Sequence, residues 1–203
     1  MATSCGPPAP TVNGHEPYFE RAIVRAEDGA PAAVSLLLIP EGLTDPTRSL
    51  EDWFVFAVWE DGTTVRSAAP ERRGPPLVRA TQDPAVIAHE LAGLVSAIRA
   101  VPPEEREPSS PDGLLVSLLV RDGAEWVALQ TDLFEGAAVC FLGSANATQE
   151  RAARRVQDEV AGRLPSRFVE AWLDGQDRIR SLAGEAGEPC DAGAYVTRAL
   201  RQR

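Results

Sequence analysis

Three stretches of the chain share one pattern, in which an Asp-Gly pair separates two runs of apolar, β-branched or aromatic residues. The pairs are Asp28-Gly29, Asp61-Gly62 and Asp122-Gly123. Aspartate followed by glycine readily adopts the positive φ angles that a tight hairpin turn requires. The pattern therefore predicts three β-hairpins, which together form an antiparallel sheet.

The first strand of the second hairpin is apolar on both of its faces. Simple alternation gives each face an apolar set, namely Trp53, Val55, Ala57 and Trp59 on one and Phe54, Phe56 and Val58 on the other. Residues 114–120 have the same property. Strands that are buried on both faces occur in the middle of a sheet that is covered twice, so helices must cover at least one face.

Three segments have helical periodicity. The first begins at Asp83, an N-cap residue followed by Pro84 at the first helical position, and ends before Pro102. The second covers about 147–161, and the third starts at Ser166. We expect an apolar stripe of the first helix to face the sheet, and this stripe consists of Ile87, Leu91, Leu94, Val95 and Ile98.

The apolar run at 137–143 predicts a further strand. The predicted fold class is thus α+β, an antiparallel sheet of about six or seven strands covered by about three helices. Residues 17–184 are expected to form this single domain, with an exposed linker at about 101–113 that is rich in proline, serine and glutamate. Residues 1–16 have the composition of a disordered tail, and residues 185–203 are predicted to form a C-terminal tail or a short helix.

One local segment resembles a pattern found in uncharacterised bacterial proteins. It contains VWEDGTTVRSAAPERRGPPLVRATQDP and the amphipathic helix that follows, that is, strand, turn glycine, strand, Gly-Pro-Pro connection and a helix started by proline. The resemblance covers residues 55–100, about a quarter of the chain. It implies this local fold and carries no activity and no site.

The charge of the chain limits its partners. Thirty acidic and 20 basic residues give a formal net charge of −10, and every basic residue is an arginine because the chain contains no lysine. The absence of lysine excludes Schiff-base and Walker A lysine chemistry. A negative field repels phosphate backbones and anionic lipids, so we expect no nucleic-acid and no membrane partner, whereas a basic protein is permitted. Total reliance on arginine is typical of a high-GC bacterial genome.

The cysteines and the start of the chain point to a cytoplasmic protein. Cys5, Cys140 and Cys190 are odd in number, lie far apart and have no metal-ligand spacing, which favours reduced thiols and predicts neither a metal nor another cofactor. The first residues lack the basic and apolar regions of a secretory signal. No apolar run approaches the ~20 residues that a membrane helix needs.

A turn with anion-binding character is the first candidate site. Gly143-Ser144 separates the predicted strand at 137–143 from the second helix, and such a turn exposes backbone amides that can bind an anion. Ser144, Asn146 and Thr148 would add hydroxyl and amide contacts. The alternative is that Asn146 or Thr148 only caps the helix.

The second candidate site surrounds the doubly apolar strand. Carboxylates occur in pairs at its two ends, and tryptophans lie just inside them, so an interface built there would have an apolar centre and a charged rim. The residues are Glu51, Asp52, Trp53, Trp59, Glu60 and Asp61. The alternative is that the tryptophans belong to the core and that Asp61 serves the turn. Exposure of the two rings would favour a protein interface, and their burial under helices would favour the small-ligand alternative or a role in the core.

These observations favour a binding protein over an enzyme. The two histidines are His15 and His89, and His89 is expected to point away from the apolar stripe of its helix, so no complete catalytic constellation is present. We expect an acidic protein-binding domain, and toxin-neutralising immunity proteins share its small size and acidity. One alternative is a module for a small ligand or phosphate, or an enzyme, that uses the turn at 143–148. The other is a homodimerising structural domain.

Overall fold

The computed structural model describes residues 24–26, 28–40, 53–69, 73–106, 114–132, 136–144, 146–184 and 187–191. The strands are β1 (Val34–Pro40), β2 (Phe54–Val58), β3 (Thr63–Ser67), β4 (Leu77–Thr81), β5 (Leu114–Asp122), β6 (Glu125–Thr131) and β7 (Glu188–Cys190). The helices are α1 (Pro84–Ala100), α2 (Ala137–Leu142), α3 (Ala147–Ala161) and α4 (Ser166–Ala183), with a short 3-10 turn at Pro103–Glu105.

The described strands form one antiparallel sheet in the order β6-β5-β1-β2-β3-β4-β7. The fold class is α+β, as predicted. Asp61-Gly62 and Asp122-Gly123 connect β2 to β3 and β5 to β6, which confirms two of the three hairpins. The strand β1 lies between β2 and β5, so the turns of these two hairpins meet at one end of the sheet.

The hairpin predicted at Asp28-Gly29 is reduced to a turn among the described residues. Ala26 and Ala30 are joined by a backbone hydrogen bond of 2.9 Å, and Arg25 and Pro31 form a single β-bridge. The expected second strand of this hairpin is β1, which pairs with β2 and β5 instead. Most of the expected first strand lies before position 24, outside the described residues.

Three other expectations about single elements were wrong. The run at 137–143 is the helix α2 and not a strand. The segment Leu77–Thr81, which was expected to be a connection, is the strand β4. Glu188–Cys190, placed in the predicted tail, pairs with β4 as the edge strand β7. The sheet thus reaches the predicted number of strands with partly different members.

The main core lies between one face of the sheet and the helices. Trp172 of α4 is fully buried, stacks on Phe168 at 5.6 Å and meets the edge of Phe141 in α2 at 5.1 Å. A Cβ atom at Gly175 of α4 would be 3.2 Å from Leu118 Cδ2 in β5. The absence of a side chain at Gly175 therefore lets α4 pack close to the sheet at this point. Helix α1 contributes Ile87, Leu94 and Ile98 to the same core.

The opposite face of the sheet is also buried, as the doubly apolar strand predicted. Trp53, Phe54, Ala57 and Trp59 belong to this second core, whereas Val55, Phe56 and Val58 belong to the first. Simple alternation along 53–59 was therefore wrong at Phe54 and Val55. The reason is a register shift, in which Leu36 pairs with Phe56 but Leu37 pairs with Phe54. The extra residue of such an irregularity interrupts the alternation of faces where it occurs.

Helix α1 is clamped on the flank that faces α4. Arg178 of α4 bonds to Glu90 of α1 at 2.8 Å and to Asp174 at 2.7 Å. Its guanidinium lies over Gly93, where a Cβ atom would come within 2.0 Å of Arg178 Nη1. One flank of α1 is thus occupied, and the other faces the turns of the two hairpins. Of the helices in the described part of the chain, none is long and apolar enough to cross a membrane.

Candidate functional site

The turn at 143–148 joins two helices rather than a strand and a helix. The short run before it is apolar on all sides, and Ala138, Val139, Cys140 and Phe141 are all buried. An apolar run of this length is compatible with either a buried strand or a buried helix. For this reason the sequence pattern predicted a strand where the structure has a helix. Gly143 ends α2 with a φ of 75°.

Four backbone amides in and next to this turn already have acceptors within the chain. Asn146 Oδ1 accepts hydrogen bonds from the amides of Thr148 at 3.0 Å and Gln149 at 3.3 Å. Glu150 Oε1 accepts from the amide of Ser144 at 3.0 Å, and Ser144 Oγ accepts from the amide of Asn146 at 3.1 Å. Asn146 therefore caps α3, and the Glu150 carboxylate takes the place where an external anion would bind.

The aromatic part of the second candidate site is in the core. Trp53 is 6% exposed and Trp59 is 4% exposed. The indole N–H of Trp59 donates a hydrogen bond to the carbonyl of Ala30 at 3.1 Å. A partner cannot reach these two rings in this structure, so they do not form an exposed patch. Glu51 and Asp52 lie outside the described residues.

The acidic part of that site remains at the surface. Glu60 is exposed and forms an ion pair of 2.5 Å with Arg121, which joins the turn after β2 to the end of β5. Asp61 accepts hydrogen bonds from the amide and the hydroxyl of Thr63 at 2.8 and 3.2 Å. Its carboxylate therefore stabilises the turn, which was the alternative to a role in an interface. Glu60, a described member of the predicted set, lines a concave surface.

This concave surface, which we call the α1 groove, has a volume of 510 Å³ and lies between α1 and the turns of the two hairpins. Its floor is the outer flank of α1, formed by Pro84, Ile87, Ala88, Leu91, Ala92 and Val95. Its opposite wall is formed by Glu60, Arg121, Asp122 and Gly123.

Hydrogen bonds at both ends of α1 fix the groove. At the start, the amide of Gln82 donates to the carbonyl of Gly62 in the turn after β2 at 2.8 Å. At the end, Arg99 pairs with Asp122 at 2.6 Å and with Glu125 at 3.0 Å. These bonds, the first to Asp122, hold the pKa of Arg99 above its ordinary value. The helix therefore spans from one turn to the other.

The rim of the α1 groove is acidic. Glu60, Asp122 and Arg121 line the groove, and Glu125 and Arg99 are joined to this rim by ion pairs. The rim thus carries three carboxylates and two arginines. The floor, in contrast, is apolar, with Ala88 and Ala92 exposed and Leu91 and Val95 partly buried. An apolar floor inside an acidic rim can bind a surface that is apolar at its centre and basic at its edge.

The sequence contains one signal for this groove, which is the width of the apolar arc on α1. All five stripe residues of α1 were expected to face the sheet, but only Ile87, Leu94 and Ile98 are buried. Leu91 and Val95 are partly buried, because they pack against the same core and also line the groove. Together with Ala88 and Ala92 they widen the apolar arc beyond what one buried face requires. Which flank stays open depends on where the two turns lie, and that is a tertiary property.

Cys140 and His89 are described residues whose side chains could carry chemistry. In the ranges that the structure describes, no group of three or more His, Cys, Asp or Glu residues is placed to hold a metal ion. Cys140 is 2% exposed, and burial raises the pKa of its thiol, which disfavours the reactive thiolate. His89 lies on the exposed side of α1, as expected. Comparisons of this chain with protein-family models, with curated proteins and with solved structures find no match.

Proposed function

We propose that this chain is a protein-binding domain and that its partner is basic. The observation that carries the proposal is the α1 groove, an open apolar surface with more carboxylates than arginines around it. The net charge of −10 acts in the same direction over a longer range. This arrangement has the apolar centre and charged edge of a protein interface.

The ion pairs at the rim are compatible with exchange for a partner's groups. Glu60 is 61% exposed in its pair with Arg121, and Glu125 is 69% exposed in its pair with Arg99. Exposed ion pairs contribute ~0 to 1 kcal/mol to stability, so replacing one by a contact with the partner costs little. Basic side chains of a partner can therefore reach carboxylates that are already held at the edge of the apolar floor.

The same charges disfavour a second copy of the chain as the partner. A twofold dimer uses the same surface patch on both subunits. Such a dimer across the α1 groove would bring two acidic rims together, and like charges at an interface are unfavourable. A basic partner of a different kind satisfies both the apolar floor and the rim.

A capture experiment with matched variants tests this function. The full chain, its Ala92→Arg variant and its Ala152→Arg variant are used as baits in lysate of the source cells. Ala92 lies on the groove floor and Ala152 lies on the exposed side of α3, so both changes place an arginine on the surface of a helix. We expect a protein that the wild type and Ala152→Arg retain and Ala92→Arg loses.

The captured protein is then purified, and its affinity is measured at two salt concentrations. The Debye length falls from ~30 Å at about 0.01 M to ~8 Å at about 0.15 M salt, so binding to a basic partner should weaken. The proposal fails if every protein retained by the wild type is also retained by Ala92→Arg. It also fails if the affinity of the purified protein does not depend on salt.

A further inference from the structure

The α1 groove is straight and follows the axis of α1. Its floor residues recur at helical spacing from Pro84 through Ala88, Leu91 and Ala92 to Val95, and residues with this spacing lie along one flank of a helix. Between residues 84 and 95 an α-helix rises about 16 Å, which is three turns. An occupant that covers this floor is therefore elongated and about three helical turns long.

The floor favours a helix over an extended peptide. Ala88 and Ala92 are exposed and four residues apart, and their small side chains allow a second helix to approach closely. An extended peptide gains its affinity from hydrogen bonds to the free edge of a sheet. The flank of α1 offers no such edge, because the peptide groups in the middle of a helix are bonded within the helix.

The carboxylates of the rim are distributed along the groove. Glu60 lies at the turn next to the start of α1, while Asp122 and Glu125 lie at the turn that contacts Arg99 near its end. A helix on the floor would thus meet carboxylates at both of its ends along one side, paired with Arg121 at one end and with Arg99 at the other. Arginine or lysine residues on that side complement this distribution.

We infer that the α1 groove binds an amphipathic helix of a basic protein, which packs along α1. Its apolar stripe lies on Ala88, Leu91 and Ala92, and its basic flank faces the carboxylates of the two turns. The inference rests on the proposed function and identifies the part of the partner that the groove takes. A helix that lays its apolar face into a hydrophobic groove, anchored at positions three and four apart, is a recurrent mode of recognition.

Synthetic peptides test the inference without knowledge of the natural partner. The first peptide, of roughly 14 residues, is made of leucine, alanine and lysine with the leucines on one helical face. A scrambled peptide has the same composition and charge but no apolar stripe, and a third has glutamate in place of lysine. Each is titrated into the full ¹⁵N-labelled chain, and the amide chemical shifts give the affinity and the location of binding.

We expect the striped lysine peptide to shift the amides of residues 84–95 and of the two turns. This peptide should bind at least about tenfold more tightly than the scrambled and the glutamate peptides. Ala92→Arg should lower the affinity of the chain for the striped lysine peptide by a similar factor, whereas Ala152→Arg should leave that affinity unchanged. Equal binding of the scrambled peptide overturns the inference, because charge alone would then explain the affinity. Shifts confined to other elements overturn it as well.

Failure of this inference is distinguishable from failure of the proposed function. If the striped peptide does not bind the groove but Ala92→Arg still loses a captured protein, the groove binds a partner that is not helical, and the helix inference is wrong. If the glutamate peptide binds as well as the lysine peptide and no captured protein depends on Ala92, both are wrong. Self-association of the labelled chain that Ala92→Arg abolishes identifies a second copy as the occupant and overturns both.

Discussion

Gly175 of helix α4 lies against Leu118 of β5. We expect Gly175→Val to lower the free energy of unfolding by about 1 to 3 kcal/mol, because the added methyl groups would overlap with Leu118 and its neighbours. Gly162→Val is the control, since a Cβ atom at Gly162 meets nothing within 4 Å. Urea unfolding gives both values. Equal effects of the two substitutions would show that α4 does not lie as close to β5 as described.

Because Cys140 is buried, we expect the domain to lose stability at alkaline pH. Burial raises the pKa of its thiol above the ordinary value of 9.0. The folded chain then holds a proton that the unfolded chain releases, so stability is fully present below about pH 9 and is lost as the pH rises through the raised pKa. We expect the unfolding free energy of the wild type to fall more steeply above pH 9 than that of Cys140→Ala. Parallel pH curves would contradict the burial of this thiol.

At the residue scale, the sequence showed which side chains are apolar but not always which way they point. Trp53 and Trp59 were weighed as an interface and as core, and their burial supports the core alternative. Phe54 and Val55 were assigned to the wrong faces because the register shift against β1 depends on pairing with a distant strand. Nothing local in 53–59 marks that shift.

The contrast between α1 and α2 shows which elements a sequence can define. Helix α1 was predicted with both of its ends because its signals are local, and Asp83 accepts a hydrogen bond from the amide of Ala85 at 2.8 Å, just as an N-cap does. Helix α2 begins after Gly136, which provides no side-chain cap, and it consists of six mainly apolar residues. Its helical state follows from burial between α3, α4 and the sheet, which the sequence alone does not show.

Helix α3 is a smaller example of the same limit. Ala152, Val156 and Val160 have helical spacing, but the buried residues of this helix are Ala153 and Gln157. Gln157 accepts a hydrogen bond from Gln176 of α4 at 2.5 Å. A buried pair of amides satisfies its polar groups mutually. The partner across the helix interface therefore decides which side of α3 faces inward.

The helix-to-helix turn at 143–148 gives a prediction about anions. Glu150 and Asn146 already accept hydrogen bonds from amides in and next to this turn. We therefore expect millimolar inorganic phosphate to raise the Tm of the wild type by no more than it raises the Tm of Asn146→Asp. This variant keeps a good cap but adds a negative charge, so it retains any general effect of the salt. A site filled at a hundredfold excess over Kd would stabilise the wild type by about 2.7 kcal/mol. A rise in Tm confined to the wild type would support the small-ligand alternative instead.

At the scale of the whole molecule, the position of β1 creates the α1 groove. Because β1 lies between β2 and β5, two hairpins that are distant in sequence place their turns at the same end of the sheet. Glu60 and Arg121 then join these turns, and α1 runs from one turn to the other. The hairpins could be predicted from their Asp-Gly turns. The strand order could not, because pairing between distant strands leaves no local pattern.

The most direct test of a partner site at the α1 groove is the rate at which the captured basic protein associates with the chain. This rate is compared between two variants, each with a pair of charge-neutralising substitutions. Glu60→Gln with Glu125→Gln alters the groove rim, and Asp158→Asn with Glu159→Gln alters exposed acids of α3. We expect the rim variant to associate several-fold more slowly at about 0.01 M salt, and the difference to shrink at about 0.15 M, because salt screens the attraction. The α3 variant should associate like the wild type, and no Tm should change by more than a few degrees, since exposed ion pairs contribute little. Equal slowing by both pairs, or by neither, would contradict a partner site at the α1 groove.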